Sequence, residues 1–311
     1  MVALAALGAG ALVVSRAGRP PVGETPQWNA PASTPERALQ LFELADEQLE
    51  VDLVAAEPDV TAPVAIRFDE DGRLWVVEMP TYMNDIAATG EQAASNRISV
   101  LEDKDGDGRF ETRTTFLDGL KLPRGVMPYL QKPGHLSALV IEPPEVYFAE
   151  DTDGDGRADR RRPVLKGIAG LENPEHAPNG LMMGMDGWIE FSQHSVAFRF
   201  DGERVQTRSN PGHGQWGITM DDLGRVFYTP NSEALRVDAL PKWYASRSRT
   251  GGLAGVNELA SPDQTVWPSH ETPGVNRGYQ PDVLRKDRTL RTHTAACGPT
   301  IDRSGLMGAD Y

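Results

Sequence analysis

The most regular pattern in the chain is a short apolar run, a tight polar turn and a second apolar run. Units of this kind span residues 63–78, 181–191 and 216–228, and another begins at 299–306. In each unit Asp and Gly occupy the turn and β-branched or aromatic residues flank it, which is typical of a β-hairpin. Recurrence of one hairpin type predicts an all-β fold of repeated small sheets, a β-propeller. A β-sandwich is the competing interpretation, but it does not require the repeated turn chemistry.

Before these hairpins the sequence predicts one short helix and a poorly structured start. Thr34 followed by Pro is a helix N-terminus signature, and we expect a helix to about Ala45. Residues 1–14 form an apolar run that is short for a bilayer span and suits a signal peptide or an anchor. Residues 15–48 then combine a linker with the short helix, and the propeller occupies 49–311. We therefore expect an extracytoplasmic protein, either periplasmic or anchored to the membrane.

Composition narrows the classes of function. The 31 glycines and 24 prolines suit many short strands better than long helices. A formal net charge of −14 repels phosphate backbones, so nucleic-acid binding is not expected. The one cysteine, Cys297, excludes an intrachain disulfide, and we expect it to be a small packed side chain. This sequence contains no CxxCH haem motif and no cysteine zinc motif.

The strongest chemical signal is a pair of Asp-rich loops, residues 103–111 and 151–159, related by a shift of 48 residues. Each loop carries acidic residues at positions one, three, five and nine and glycine at position six. Calcium takes about six to eight oxygen ligands, and alternating carboxylates place oxygens around one point. The predicted metal ligands are Asp103, Asp105, Asp107, Glu111, Asp151, Asp153, Asp155 and Asp159.

The two loops differ from EF-hands. An EF-hand has a bidentate Glu at position twelve, whereas Thr114 and Arg162 stand there in this chain, and the flanking residues read as strands. We therefore predict short calcium loops that join strands and stabilise the fold. A pair of cation-free polar turns is the alternative, which is disfavoured because so many carboxylates within nine residues would repel one another.

Among the six histidines, His176 has the context best suited to catalysis. It lies in a loop, residues 173–181, directly before a predicted hairpin, and propeller active sites are built from such loops. Histidine titrates near neutral pH and can act as a general base. No HExxH or HxH pattern indicates a histidine zinc site in this sequence.

Several stretches together resemble a bacterial "membrane-bound dehydrogenase" β-propeller family, whose members often continue into a haem-binding CxxCH segment. Residues 176–187 are also similar to the histidine-containing segment of the soluble quinoprotein glucose/sorbosone dehydrogenases. The other matching stretches are residues 53–58, 71–78, 97–111, 147–159, 276–279 and 296–301. The resemblance implies a six-bladed propeller, of which this chain would hold about four blades and be incomplete at its C-terminus.

The same resemblance implies a quinone-dependent dehydrogenase of sugars or alcohols, with calcium and pyrroloquinoline quinone as cofactors. Carried over to this chain, it implies that His176 is the base that takes the proton of the substrate hydroxyl. It also implies cofactor-binding roles for Arg124 and for Asn179, which stands where the family has a glycine. The implied partners are a small sugar or alcohol and a cytochrome c electron acceptor.

Two other functions stay open, so the sequence alone does not decide whether the protein is an enzyme. A non-catalytic propeller that binds glycans or proteins would use loop aromatics such as Trp216, Tyr228 and Trp267. A calcium-dependent, lactonase-like hydrolase would need carboxylates that converge on a metal in the channel, for which Glu78 is the candidate. The position of His176 favours the dehydrogenase.

Overall fold

The structure is a computed structural model that describes residues 4–6, 33–44, 48–249, 254–266 and 280–305. Within these residues it contains four antiparallel four-stranded sheets, each with its strands in sequence order, and one two-stranded sheet. Each four-stranded sheet is one propeller blade, so the predicted all-β propeller is confirmed. The two stretches of helix are short, as the Gly- and Pro-rich composition leads one to expect.

The first elements lie outside the blades. Strand β1 (Leu4–Ala6) pairs antiparallel with β2 (Asp52–Ala55), and helix α1 (Pro35–Leu39) lies between them in the chain. Thr34 caps this helix as predicted, since its Oγ1 accepts a hydrogen bond from the Arg37 N–H at 3.2 Å. The helix is shorter than expected. The predicted leader at 1–14 lies outside the described residues except for β1, and no described helix is long and apolar enough to cross a membrane.

The blades follow one another along the chain. Blade 1 comprises β3 (Pro63–Phe68), β4 (Leu74–Glu78), β5 (Asn96–Glu102) and β6 (Thr112–Leu120). Blade 2 comprises β7 (Gly125–Pro128), β8 (Ser137–Glu142), β9 (Glu145–Glu150) and β10 (Arg160–Lys166). Blade 3 comprises β11 (Asn179–Met183), β12 (Ile189–Ser192), β13 (Val196–Phe200) and β14 (Val205–Ser209). Blade 4 comprises β15 (Ile218–Met220), β16 (Val226–Tyr228), β17 (Arg236–Asp238) and β18 (Glu258–Leu259), with helix α2 (Lys242–Ala245) between the last two strands.

Each blade places its first strand innermost. Strands β3, β7, β11 and β15 contact one another in this order around the channel. The Arg67 guanidinium of β3 reaches the Leu181 carbonyl of β11, with 3.4 Å between Nη2 and the oxygen, so a side chain of blade 1 contacts the backbone of the non-adjacent blade 3. Blades pack face to face: one hydrophobic core contains Trp75 and Phe116 of blade 1 together with Val140 and Tyr147 of blade 2. Burial of both blade faces explains why β4 is apolar almost without interruption.

The repeated Asp-Gly turn closes the first hairpin of blades 1, 3 and 4. In blade 1, Asp69 Oδ1 accepts hydrogen bonds from the Asp71 and Arg73 N–H groups at 3.0 Å each, and Gly72 takes the positive φ of +81° that the turn requires. Asp221 makes the same bonds in blade 4. Blade 2 lacks this turn, which is why its first hairpin was not among the predicted units.

The final described segment contains no strand. Its residues 296–301 nevertheless follow blade 4, since the Gly298 N–H donates to the Trp216 carbonyl and the Ile301 N–H to Thr219 Oγ1. The expectation that Cys297 is packed is wrong, because this side chain is exposed.

The two ends of the channel carry different loops. The end that we call the upper face holds the connections between blades, at residues 121–124, 167–178 and 210–217, and the long loop 79–95. The opposite end, the lower face, holds the Asp-Gly hairpin turns and both Asp-rich loops. Candidate catalytic and candidate metal residues therefore lie at opposite ends of the blades.

Candidate active site at the upper end of the channel

Arg124 is the most unusual charged residue of the upper face. It directly precedes β7, and its side chain is only 5% exposed. Its Nε and Nη2 have no hydrogen-bond partner within the described ranges. Burial lowers the pKa of Arg124, yet a guanidinium remains charged at neutral pH. Leaving buried donors unpaired costs about 1–3 kcal/mol, so this arrangement suits an anionic ligand that would pair with them.

Two aromatic rings flank this guanidinium. Its central carbon lies 5.4 Å from the ring centroid of Tyr82 and 5.6 Å from that of Trp216. Both distances allow cation–π attraction, which holds the cation without using its N–H donors. Tyr82 Oη donates to Glu175 Oε1 at 3.4 Å. Burial, helped by the nearby Glu175 charge, raises the pKa of Tyr82 and keeps this phenol protonated.

His176 lies on the same face, at the end of a short 3₁₀ helix (Pro174–His176). Its Nδ1 is 3.2 Å from Asn173 Oδ1, and its Nε2 is 3.4 Å from the Gln215 amide nitrogen. Because an amide oxygen accepts and an amide nitrogen donates, both contacts fit the tautomer with the proton on Nδ1. In this tautomer the Nε2 lone pair accepts the hydrogen bond from Gln215, so a substrate hydroxyl reaches this lone pair by displacing the Gln215 amide.

These side chains form one site, although they come from four connections. Tyr82 joins Arg124 to Glu175, and Trp216 joins Arg124 to its neighbour Gln215, which contacts His176. The two residues predicted from the sequence, His176 and Arg124, are thus linked through shared neighbours. Long-range contacts of this kind have no signal in a single sequence.

Asn179 lies beside the site, but its amide bonds only to the backbone. Its Nδ2 donates to the carbonyls of Ala177 and Gln215, at 3.1 and 2.8 Å, and its Oδ1 accepts from the Gly217 N–H at 2.7 Å. The side chain is buried. It therefore ties the inner strand of blade 3 to the connection before blade 4.

A cavity of about 430 Å³ opens next to Gln215. Its lining is mostly polar and combines side-chain amides, a phenol and an ammonium group with the backbone of two glycines. The lining residues are Gln193, Gly212, Gly214, Gln215, Tyr228, Pro230, Lys242 and Asn257. A small polar molecule in this cavity would lie beside the Gln215–His176 contact.

A buried charge cluster underlies this cavity. His213, which is 1% exposed, places Nε2 at 2.8 Å from Glu190 Oε2 and Nδ1 at 3.1 Å from Asp238 Oδ2. Burial lowers the pKa of His213, but the hydrogen bonds to Asp238 and Glu190 outweigh it, so the pKa is raised overall. Two ionised carboxylates that face both ring nitrogens are satisfied together when both nitrogens carry a proton, so this arrangement favours the imidazolium form of His213.

The sequence pattern around His213 predicted no role for it. The sequence feature that could have drawn attention to His213 is the glycine on each side of it, Gly212 and Gly214. A Cβ at Gly214, whose φ is +42°, would lie 2.6 Å from the Thr229 carbonyl oxygen, and one at Gly212 would lie 2.9 Å from the His194 carbonyl oxygen. Glycine on both sides lets the backbone approach its neighbours closely and brings the imidazole into the interface of blades 3 and 4.

The Asp-rich loops occupy equivalent places, between β5 and β6 and between β9 and β10, and share one hydrogen-bond pattern. Asp103 accepts from the N–H groups of the two loop glycines at 2.7 and 2.9 Å, and Asp151 does so at 2.6 and 2.9 Å. Hydrogen bonds from Gly108 foremost lower the pKa of Asp103. For Asp151, burial opposes the same effect, but the backbone bonds prevail and its pKa is also lowered.

Carboxylate oxygens converge in both loops. In the first loop, one oxygen each of Asp103, Asp105, Asp107 and Glu111 lies within 4.8 Å of the others. In the second, the group contains Asp151, Asp153 and Asp159 but not Asp155. Oxygens on a sphere of about 2.3–2.6 Å radius lie within such distances, so the donor set fits calcium. The fit is more complete in the first loop.

Each Asp-rich loop also docks on the preceding element. The Phe110 N–H donates to the Val54 carbonyl of β2 at 2.8 Å, and the Ala158 N–H donates to the Phe116 carbonyl of β6 at 2.9 Å. A Cβ at Gly156 would lie 2.9 Å from the Thr114 side chain. The loops therefore bridge neighbouring elements, as an architectural role requires.

The residues of the alternative functions are placed less favourably. Glu78 is fully buried, and its carboxylate accepts from the Thr61 N–H at 2.8 Å, from Arg97 and from Ser99. These donors occupy the lone pairs that a channel metal would need. Tyr228 is buried, and Trp267 lies outside the described residues.

Comparison with known proteins identifies the family of this chain. Residues 34–311 match the model of a family described as a domain of unknown function, DUF7133. The chain belongs to this family. No curated protein matches the chain.

Solved structures similar to this DUF7133 chain are β-propellers of diverse activity. Virginiamycin B lyase from Staphylococcus aureus is 17% identical over 60% of this chain and 54% of its own, with a TM-score of 0.34. A nidogen/laminin complex is 17% identical over 61% and 64%, with a TM-score of 0.39. The PQQ domain of pyranose dehydrogenase from Coprinopsis cinerea is 12% identical over 56% and 46%, with a TM-score of 0.36. This DUF7133 chain thus covers about half to two thirds of those chains, and the likeness concerns the fold alone.

Proposed function

We propose that the upper end of the channel binds a planar, carboxylate-bearing quinone such as pyrroloquinoline quinone, and that the protein oxidises a sugar or alcohol there. The observation that carries this proposal is Arg124, a buried guanidinium with unpaired donors between two aromatic rings. In a protein of net charge −14, such an arrangement suits a specific anion rather than a general anionic surface.

The free donors of Arg124 have the geometry of a carboxylate receptor. Nε and Nη2 lie along one edge of the planar guanidinium group and can donate to both oxygens of one carboxylate. Tyr82 and Trp216 leave these donors unused. The residues present therefore fit one carboxylate of an aromatic acid, and a bound ortho-quinone would accept hydride from a carbinol carbon.

His176 would act as the general base. With Nδ1–H donated to Asn173, its Nε2 would take the proton of a substrate hydroxyl that displaces the Gln215 amide. Gln215 lines the cavity of about 430 Å³, so a substrate in this cavity would lie beside the Gln215–His176 contact. The polar lining of this cavity suits a polyhydroxylated substrate, because hydroxyl groups both donate and accept hydrogen bonds.

We further propose that both Asp-rich loops bind calcium and that the protein works outside the cytoplasm, where calcium is abundant. The convergence of four carboxylates in the first loop supports the metal assignment. The acidic chain would suit a positively charged redox partner such as a cytochrome c, since opposite charges steer association. These loops would then contribute rigidity rather than catalysis.

The test is a titration with pyrroloquinoline quinone in calcium, followed by a dye-reduction screen over sugars and alcohols. We expect Arg124→Gln to weaken quinone binding by at least about tenfold, since a charge-assisted bidentate pair is lost. His176→Ala should bind the quinone normally and lose roughly 10²–10⁴-fold in turnover. His194→Ala is the matched control, because the His194 ring stacks on the Phe191 ring, with 5.0 Å between the centroids, and does not line the cavity.

A folded, calcium-loaded protein that binds no quinone would contradict this proposal. Recognition of glycans or proteins would then be the function to test. Equal binding by the wild type and Arg124→Gln would instead show that the quinone binds elsewhere.

A further inference from the structure

His213 connects a buried charge cluster to the residues of the candidate active site. It lies in the connection 210–217, and its backbone bridges to Ser192 of β12. Two residues further along, Gln215 contacts His176, and the next residue, Trp216, faces Arg124. Two side chains of the candidate site therefore lie within three residues of His213 on the same connection.

Charged and polar groups surround the imidazole from every element packed against it. Glu190 of β12 and Asp238 of β17 contact its two nitrogens, and Asn210 of the same connection lies 3.3 Å from Nε2. Each carboxylate has further partners. Arg208 of β14 lies 3.0 Å from Glu190. Lys242 of α2 and the Tyr228 hydroxyl of β16 lie 3.3 and 3.1 Å from Asp238.

The charges in this cluster balance when His213 is protonated. Arg208, His213 and Lys242 are then opposed by Glu190 and Asp238, with Asp186 beside Arg208 as the third carboxylate. A neutral imidazole carries one proton and can donate to one carboxylate only. The other carboxylate would keep its remaining partners, Arg208 for Glu190 or Lys242 and Tyr228 for Asp238, but its oxygen would face the lone pair of the ring instead of an N–H. At the present distances of 2.8 and 3.1 Å this contact is repulsive, so the ring would be pushed away from that carboxylate.

We propose that His213, as an imidazolium, is a positioning residue that holds Gln215 against His176 and Trp216 against Arg124, so that ligand binding at the channel depends on its protonation. This inference rests on the proposed function for the identity of the ligand, but not for the geometry of the connection. His213 itself touches neither cavity nor ligand, because it is 1% exposed.

Two measurements test this role on the full chain. The first is the affinity for pyrroloquinoline quinone as a function of pH for the wild type, His213→Gln and the control His194→Gln. We expect the wild type and the control to lose affinity as His213 deprotonates at alkaline pH. His213→Gln should bind at least about tenfold more weakly at neutral pH and lose this pH dependence.

The second measurement is an NMR titration of ¹⁵N-histidine-labelled protein, which needs no ligand. The His176 ring signals should shift in His213→Gln and stay unchanged in His194→Gln. If His213→Gln does not fold, Asp238→Asn replaces it: this variant removes the carboxylate at Nδ1 of His213 and leaves the contact between His213 and Glu190. It should shift the same His176 signals. Unchanged His176 signals in a folded cluster variant would overturn the inference, as would identical quinone affinities.

The two proposals fail in distinguishable ways. A wild type that binds no quinone contradicts the proposed function, and the NMR comparison still decides the role of His213. Quinone binding that is independent of His213 and of pH overturns the positioning role and leaves the proposed function intact.

Discussion

The hydrogen-bond partners of Arg97 and Arg124 indicate different roles for these two arginines. Arg97 holds the buried Glu78 with two hydrogen bonds, at 3.0 and 2.8 Å. Those bonds and that from Ser99 outweigh burial and lower the pKa of Glu78. Arg124 is more buried and has free donors on Nε and Nη2 within the part of the chain that the structure describes. The first arginine stabilises the fold, whereas the second is costly without a ligand.

We therefore predict opposite effects of the same substitution. Arg97→Gln should lower the free energy of unfolding by about 3 kcal/mol, because it leaves the Glu78 carboxylate buried without its cation. Arg124→Gln should leave the free energy of unfolding unchanged or raise it, since it removes an unpaired buried charge. Denaturant unfolding without added ligand measures both. If Arg124→Gln lowered the free energy of unfolding as much as Arg97→Gln, Arg124 would have a structural role.

At the scale of the elements, the two Asp-rich loops are the clearest repeated feature. They occupy the same place in blades 1 and 2, carry the same glycine-to-aspartate hydrogen bonds and dock on the preceding element. They differ in burial, since Asp151 is 3% exposed while Asp103 is partly exposed to solvent. A cation that binds only the folded loops would stabilise the native state.

Substitution within each loop tests the calcium assignment. We predict that Asp105→Ala and Asp153→Ala each lower the melting temperature in calcium and have little effect in chelator, because each removes a ligand and no buried partner. The measurement is thermal unfolding of both variants and the wild type in the two buffers. Melting curves that match the wild type in calcium would contradict the assignment.

At the scale of the whole molecule, buried ionised groups set the pH range of stability. The pKa values of Glu78, Glu190 and Asp238 are lowered because hydrogen bonds from their cationic partners outweigh burial. Their contribution is present above the pKa of the unfolded state and is lost as pH falls through the folded pKa. The raised pKa of His213 acts in the opposite direction: its contribution is full below 6.5 and is lost as pH rises through the higher folded pKa.

We predict a stability maximum on the acidic side of neutrality. The melting temperature, measured by calorimetry from about pH 3 to about pH 9 at fixed calcium, should fall on both sides of it. His213→Gln should have a lower maximum and should lose the alkaline decline. An alkaline decline that persists in this variant would mean that another group causes it.

Local sequence determined much of the architecture. Asp-Gly turns and apolar runs predicted three of the four first hairpins, and the Asp-rich loops were located residue by residue, because their chemistry is complete within a few neighbouring positions. The cap at Thr34 was predicted for the same reason. The hairpin of blade 2 was missed because its turn, residues 129–136, uses no Asp-Gly pair.

Only the tertiary structure decided which residues act together. His176 was singled out by its loop context and Arg124 by the resemblance, but their connection through Tyr82 and Trp216 depends on four loops meeting at one end of a channel. The role of His213 and the free donors of Arg124 follow from burial and from partners far along the chain. A sequence specifies turns and strands through neighbouring residues, whereas charge pairing in a propeller is settled where separate blades pack together.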